Sequence, residues 1–367
     1  MSVSSDYQYF CGEHVFQPCE PCEASELVHF RNRIGESGIE LILKESIRVN
    51  GNDSNDSTAS IDTTVQEKNI TFPTDSKLHR KIIDKCRNIA EKENLPVRQS
   101  YTRTLKKLSL DQRFRNHPRN KWKARKADRK EKTIAGRLVR ELERNLSPDS
   151  RSQSDIDLFK RILNQKKSDK NKIYSVHEPD VQCISKGKEH KKYEFGNKVS
   201  IIYTQTTGVI IGALGFRNPY DGHTIEPALE QTERLLGKRT LKTLIGDRGY
   251  KGKRQINDTT IEIPKPFNNR KQSQYQQNKL KKQFRKRAAI EPINGHLKTD
   301  HRLNRNFYKG ITGDNINVML AAAAFNFKRM MNKWKSSFGL EFKIQIVDLI
   351  KAMFYQINNN IIRKWAF

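Results

Sequence analysis

The segment Lys198–Phe216, KVSIIYTQTTGVIIGALGF, does most to decide the fold class. Two runs rich in Val, Ile and Tyr, at 198–205 and 208–216, are separated by two threonines, a pattern typical of a β-hairpin. A helix and two short strands are predicted to follow, at residues 224–236, 240–246 and 260–263. Strands that alternate with a helix in this way predict an α/β fold with a mixed sheet.

A further strand is predicted well before the hairpin, at Ile61–Val65 (IDTTV), because this short run is rich in β-branched residues. Asp62 lies inside it. An acidic residue is unusual there, since aspartate disfavours strands and is costly to bury unless it is paired or bound to a metal. Asp62 is therefore a candidate functional residue.

Residues 76–172 separate this strand from the hairpin, and they contain 30 basic and 12 acidic residues. They show helical periodicity at Leu105–Leu110 and Ile134–Leu146 and no convincing strand pattern, so we interpret the stretch as a basic helical insertion. The predicted organisation is a residual helical N-terminal region (1–50), the first strand of the core (51–75), the insertion (76–172), the remainder of the core (173–335) and a C-terminal helical tail (336–367).

The chain of 367 residues carries a formal net charge of +29. Self-repulsion of this size opposes compaction unless a polyanion neutralises it, and nucleic acid is the commonest such partner. A merely soluble basic protein is the alternative. No run approaches the roughly 18 apolar residues of a membrane span. Five thinly spread cysteines do not form a disulfide framework, and we expect a cytoplasmic protein without a membrane partner.

Three acidic residues are positioned to form one site. Asp62 lies on the first strand, Asp247 follows the apolar strand at 240–246, and Glu291 begins a late helix. Functional sites of α/β proteins gather at the ends of strands. Converging carboxylates can hold two hard cations about 4 Å apart, which stabilise the attacking and leaving oxygens of a phosphoryl displacement. We therefore predict that these three residues bind metal and carry the catalysis.

The residues around Glu291 follow a regular spacing. Phe284, Arg287, Glu291 and Lys298 give the pattern aromatic-x2-Arg-x3-Glu-x6-Lys. Arginine offers a planar fork and lysine a point charge for phosphate contacts. An amphipathic helix with internal salt bridges is the alternative explanation of this spacing.

This spacing resembles the Y-(2)-R-(3)-E-(6)-K signature of bacterial insertion-sequence DDE transposases, with Phe284 in place of tyrosine. Segments similar to the family's sequence blocks recur between residues 7 and 334. Among them are IDTTVQ (61–66), NPYDGHT (218–224), GDRGY (246–250) and IEPINGHLK (290–298). Each block alone is weak, but their order along the chain is specific.

The resemblance implies an RNase H-like mixed sheet flanked by helices, with Asp62, Asp247 and Glu291 as the catalytic triad. It also implies two Mg²⁺ ions, with Mn²⁺ as a substitute. The implied reaction is hydrolysis at the ends of a mobile element, followed by attack of the freed 3′-hydroxyl on target DNA. The implied partner is double-stranded DNA, bound by a homodimer in the bacterial cytoplasm.

Five further residues are predicted to contact DNA near these carboxylates. Arg287 and Lys298 are implied by the signature, with Phe284 packing or stacking beside them. Arg248 and Tyr250 directly follow Asp247 in the GDRGY block.

Several alternatives stay open at this stage. Asp180 and Asp221 compete with Asp62 for the place of the first carboxylate, although Asp221 is also expected to cap the helix that starts near Thr224. The N-terminal region is shorter than is usual in the family, which puts specific recognition of terminal repeats in doubt. The rival functions are a catalytically inactive DNA-binding protein and a stand-alone nuclease on the same core.

Overall fold

The computed structural model describes residues 8, 15–18, 22–185, 191–237, 241–264, 273–334 and 336, with positions 279, 280, 283 and 286 described by their backbone alone. Within these ranges, seven strands form one mixed sheet. Their bounds are Thr58–Glu67 (β1), Gln182–Ser185 (β2), Tyr193–Thr204 (β3), Ile210–Phe216 (β4), Thr243–Ile245 (β5), Gln255–Ile256 (β6) and Thr259–Glu262 (β7).

The order of pairing places β1 inside the sheet. The path runs β2-β3-β1-β5-β7-β6, and β4 pairs with β3 as well. β1 is antiparallel to β3 and parallel to β5, which is in turn parallel to β7. The predicted hairpin is confirmed as the antiparallel pair β3–β4. The predicted α/β class with a mixed sheet is also confirmed.

The helices of the structure are in chain order Ala24–Arg48 (α1), Asp75–Lys92 (α2), Thr102–Asp111 (α3), Lys121–Asn145 (α4), Gln153–Asn164 (α5), Ile225–Leu236 (α6), Gln274–Arg287 (α7), Ile290–Thr299 (α8) and 310–334 (α9). Gly35 interrupts α1 with a φ of 62°, a left-handed conformation that suits glycine. Within the predicted helical N-terminal region, α1 thus consists of two halves.

Apolar residues of the sheet and of the helices α1, α6, α8 and α9 form one core cluster. The side chain of Asn326 on α9 ties this cluster to β4, because it accepts a hydrogen bond from the Ile210 amide at 2.9 Å and donates one to the Ile210 carbonyl at 2.8 Å. It also donates to the Ser46 hydroxyl of α1 at 3.1 Å. A single buried amide therefore joins two helices to the backbone of β4.

A buried lysine fixes the chain just after β1. The Lys68 ammonium is 2% exposed and lies 2.7 Å from Asp314 and 3.4 Å from Glu178. It also donates to the Tyr308 carbonyl oxygen at 2.7 Å. A buried charge requires such partners, so this cluster holds the end of β1 against α9 and the segment that precedes it.

The helices α2 to α5, which lie between β1 and β2, have a core cluster of their own. Ile82, Leu138 and Phe159 are among its buried residues. Glu131 is fully buried beneath α2 and is satisfied by Arg80, by the Ser76 hydroxyl at 2.7 Å and by the Gln112 amide at 2.9 Å. The exposed faces of these helices carry most of the basic residues of this stretch.

The helices predicted at Leu105–Leu110 and Ile134–Leu146 are found within α3 and α4. The chain restarts as α8 with Pro292 in its first turn, where a missing N–H costs little. In the described ranges, no helix combines the length and the apolar character of a membrane span. Residues 337–367 of the predicted tail lie outside the described residues.

Candidate active site

The register between β1 and β5 brings two aspartates to corresponding positions. Ser60 of β1 pairs with Ile245 of β5 in the parallel ladder. Asp62 and Asp247 each follow two residues later, and parallel strands emerge in the same direction at one edge of a sheet. Asp247 also starts a short 3₁₀ turn, in which its Oδ1 accepts a hydrogen bond from the Gly249 amide at 2.7 Å.

One guanidinium group joins these two carboxylates. Arg287 Nη2 lies 3.3 Å from Asp62 Oδ1 and 3.5 Å from Asp247 Oδ2. The Tyr203 hydroxyl donates to the Arg287 carbonyl oxygen at 2.9 Å, which fixes the end of α7 on the sheet. Asn294 of α8 donates to Asp62 Oδ2 at 3.2 Å. Both helices are therefore anchored at the carboxylates.

A third aspartate lies beside the pair. Asp221 Oδ1 accepts hydrogen bonds from the Thr63 hydroxyl at 3.0 Å and from Lys198 at 2.9 Å. A Cβ atom on Gly249 would lie 3.1 Å from Asp221 Oδ2 and 2.9 Å from Asp247 Oδ1, so this close approach requires glycine. Asp221 thus links β1, β3 and the turn that presents Asp247.

The expectation that Asp221 caps the following helix is wrong. No side-chain hydrogen bond caps α6, whose cap residue is Thr224. The carboxylate of Asp221 instead accepts hydrogen bonds from Thr63 and Lys198, and the bond from the lysine is strengthened by its charge. Asp180, the other competitor, pairs with Arg217 at 3.0 Å.

The phenol of Tyr250 is close enough to Asp62, Asp221 and Asp247 for their charges to act on it. Burial raises its pKa well above the usual value, and the charges of Asp62, Asp221 and Asp247 raise it further. The side chain is 1% exposed. This burial does not fit the predicted DNA contact of Tyr250 and instead makes it part of the floor beneath the carboxylates.

The remaining predicted site residues lie on the helices around this centre or in the turn. Glu291 is exposed in the first turn of α8, one turn before Asn294, which contacts Asp62. Phe284 and Lys298 are half-buried on α7 and α8, and Arg248 is exposed in the turn after Asp247. In the described ranges, no group of three or more Asp, Glu, His or Cys side chains is close enough to hold a metal ion. The structure thus joins Asp62, Asp247 and Arg287 and leaves Glu291 outside this group.

The donor atoms at the centre nevertheless fit a hard divalent cation. The carboxylates of Asp62 and Asp247 share a single cationic nitrogen, so a cation already satisfies both of them. The buried Oδ1 of Asn294 has no hydrogen-bond partner among the described residues. Carboxylate and amide oxygens are the ligands that such cations prefer.

Sequence reasoning missed several neighbours of this centre. Asn294 lies three residues after Glu291, so helical spacing offered a signal for it. The sequence offers no such signal for Lys198, Thr63 or Tyr203, because their contacts depend on the register between β1 and β3.

Comparison with protein families gives a match over part of the chain. Residues 172–327 match the family model described as transposase DDE domain.

This part of the chain is therefore similar to transposase DDE domains.

The mixed sheet with flanking helices is the RNase H-like fold that a transposase DDE domain implies. Asp247, Arg287 and Glu291 lie within the matched residues, whereas Asp62 lies on β1, before the helices α2 to α5.

A curated relative is "Uncharacterized protein ORF8 in nfe locus" from Rhizobium meliloti, with 38% identity over 118 residues. The alignment covers 31% of this chain and 57% of that protein, so it spans little more than half the length of the relative. No solved structure gives a significant match.

Proposed function

We propose that this chain is a DDE transposase that catalyses Mg²⁺-dependent cleavage of DNA at the ends of a mobile element and transfer of the cut strand into target DNA. The observation that carries the proposal is the shared contact of Asp62 and Asp247 with Arg287 Nη2, at 3.3 and 3.5 Å. The family match supports the reaction class.

In this proposal Asp62, Asp247 and Glu291 are the metal ligands. Two Mg²⁺ ions, or Mn²⁺ in their place, would activate the attacking oxygen and stabilise the leaving oxygen. Asp62 and Asp247 are held in position by β1, β5 and the hydrogen bond from the Gly249 amide. Glu291 completes the set when the first turn of α8 moves its exposed side chain towards Asp62.

The other residues bind and orient DNA. Arg248 and Lys298 are proposed to contact phosphates beside the carboxylates, and Phe284 to pack against the nucleotide there. Arg287, which already lies between the two aspartates, offers a planar fork that suits a phosphate group.

The basic faces of α2 to α5 are proposed as the path of double-stranded DNA. They lie on a unit with its own core, next to the strand that carries Asp62. We further propose that the protein acts as a homodimer on DNA in the bacterial cytoplasm, so that both ends of the element are cut together.

The test uses labelled duplexes taken from the DNA on both sides of the gene. The full chain, Asp247→Asn and the control Asp84→Asn, which changes an exposed carboxylate on α2, are assayed for cleavage and joining with and without Mg²⁺. We expect Asp247→Asn to abolish both reactions and to bind DNA as tightly as the parent or more tightly, because one negative charge beside the DNA is lost. The control should behave as the parent does.

The rival functions give other outcomes. A parent protein that binds the duplexes and never cuts them is a DNA-binding protein without chemistry. One that cuts and never joins strands is a nuclease. Either result would contradict the proposal.

A further inference from the structure

The contact between Arg287 and the two aspartates has an unusual form. Nη2 alone makes both close contacts, although arginine offers five donors. The buried Nε has no hydrogen-bond partner among the described residues. The guanidinium is therefore held through Nη2 by electrostatic attraction. It does not make the two parallel hydrogen bonds that arginine forms with a well-aligned carboxylate or phosphate.

The backbone of Arg287 is fixed while its side chain keeps access to solvent. The Tyr203 hydroxyl holds its carbonyl oxygen from a fully buried position on β3. The side chain is 24% exposed, as the last residue of α7. A guanidinium in this setting can change partners by side-chain rotation while the helix stays in place.

The position of the guanidinium coincides with the space between the carboxylate oxygens that a bridging cation would use. Two adjacent carboxylates repel each other unless a positive charge lies between them. A guanidinium and a divalent cation cannot occupy the same space beside these oxygens. Binding of the one requires displacement of the other.

We propose that Arg287 is an internal counter-cation: it neutralises Asp62 and Asp247 in the metal-free protein, and a divalent cation displaces it towards a DNA phosphate. This inference rests on the function proposed above, which supplies the cation site and the DNA. Its consequence is that cation binding and DNA binding strengthen each other. A bound cation releases Arg287 for a DNA phosphate, and a phosphate that binds Arg287 releases the two carboxylates for the cation.

The first test measures Mn²⁺ binding to the full chain without DNA by electron paramagnetic resonance. We compare the parent with Arg287→Gln, which removes the competing charge and keeps a side chain of similar length. Arg248→Gln is the matched control, because it removes the same charge from an exposed position next to Asp247. We expect Arg287→Gln to bind Mn²⁺ at least about fivefold more tightly and Arg248→Gln to change affinity less than about twofold.

The second test measures the affinity for duplex DNA with and without Ca²⁺. In the parent, Ca²⁺ should strengthen DNA binding, and in Arg287→Gln most of this enhancement should be lost. A gain in Mn²⁺ affinity that is lost again when Asp247→Asn is added to Arg287→Gln comes from the proposed site, so the measurements together separate competition from damage to the fold.

Three outcomes overturn the inference: unchanged or weaker Mn²⁺ binding by Arg287→Gln, an equal gain in Arg248→Gln, or full Ca²⁺ enhancement of DNA binding without Arg287. The variants Asp62→Asn and Asp247→Asn distinguish this failure from that of the proposed function. If they lose Mn²⁺ while Arg287→Gln gains nothing, the counter-cation fails and the metal site stands. If they bind Mn²⁺ as the parent does, the proposed function fails as well.

Discussion

The side chain of Asn294 donates a hydrogen bond to Asp62 Oδ2 at 3.2 Å, and it joins α8 to the central strand β1. Because Glu291 lies one turn earlier on the same helix, this bond limits how far its carboxylate can be from Asp62. Glu291, the third carboxylate of the proposed triad, is therefore close to the centre in the fold, although its side chain is exposed.

Replacing Glu291 with Gln should separate catalysis from stability. We expect cleavage to fall by about 10²-fold or more, since a group that stabilises transition-state charge is lost. The free energy of unfolding should stay within about 0.5 kcal/mol, because the side chain is exposed. Single-turnover cleavage and urea denaturation check the two parts. Glu91→Gln, an exposed change on α2, is the control, and unchanged cleavage in Glu291→Gln would remove this residue from the triad.

Replacing Asp221 with Ala should destabilise the protein. The change removes the carboxylate that accepts hydrogen bonds from Lys198, which is 12% exposed, and from the Thr63 hydroxyl, at a cost of about 1–3 kcal/mol. Asp180→Ala is the matched control, because the pair of Asp180 with Arg217 is largely exposed and should contribute less than about 1 kcal/mol. Urea denaturation at neutral pH measures both. Equal losses in the two variants would contradict the role of Asp221 in joining β1 to the Asp247 turn.

The raised pKa of Tyr250 predicts a loss of stability at alkaline pH. In the unfolded chain a tyrosine releases its proton near its ordinary pKa of about 10. In the folded protein, burial and the three aspartates keep Tyr250 protonated to higher pH. The stabilisation is therefore fully present below about pH 10 and is lost as the pH rises towards the folded pKa.

Tyr250→Phe should reduce the fall of the free energy of unfolding with rising pH. Urea denaturation at several pH values between about 9 and 11.5 would measure this slope. The control Tyr275→Phe removes a phenol that is 77% exposed and should leave the slope as it is in the parent. An identical slope in Tyr250→Phe would show that this phenol titrates normally.

The exposed face of α4 predicts a steep dependence of DNA binding on salt. Lys126, Lys130 and Arg137 are exposed on one face of this helix. Replacing all three with Gln should lower the slope of log K against log[salt] by about 2–3, since each phosphate contact contributes about 0.9. Lys160→Gln is the control, because Lys160 is paired with Glu143 on the neighbouring helix. Binding titrations between low and moderate salt measure the slopes, and equal slopes in parent and triple variant would place the DNA elsewhere.

The sequence was sufficient for the class of fold and for two of the three central aspartates. Asp62 was noticeable because a strand rich in β-branched residues contains an acid, and Asp247 because it ends an apolar strand. Their meeting follows from the expectation that functional sites of α/β proteins gather at the ends of strands, and the parallel pairing of Ser60 with Ile245 brings both aspartates to one edge of the sheet.

The other features of the site depend on distances between residues that a sequence pattern does not contain. The sequence predicts that Asp221 is a helix cap, because an aspartate just before a helix usually is one. Its ion pair with Lys198 depends instead on the pairing of β3 with β1. The spacing of Arg287 indicates phosphate contact or salt bridges along one helix, and it does not contain the contact of Nη2 with both Asp62 and Asp247. β6 has two residues and gives no period to detect.

The place of β1 between β3 and β5 has a consequence for the nascent chain. This strand is synthesised early, but its partners arrive about 130 and 180 residues later, after the whole helical unit of α2 to α5 has left the ribosome. The helical unit packs through contacts that are close along the chain, so it is expected to form first. A polypeptide halted before β3 should therefore expose β1 to protease while these helices resist. A chain halted at that stage lacks the strands that hold β1 in the sheet, so Asp62 and Asp247 come together only after β5 has been made.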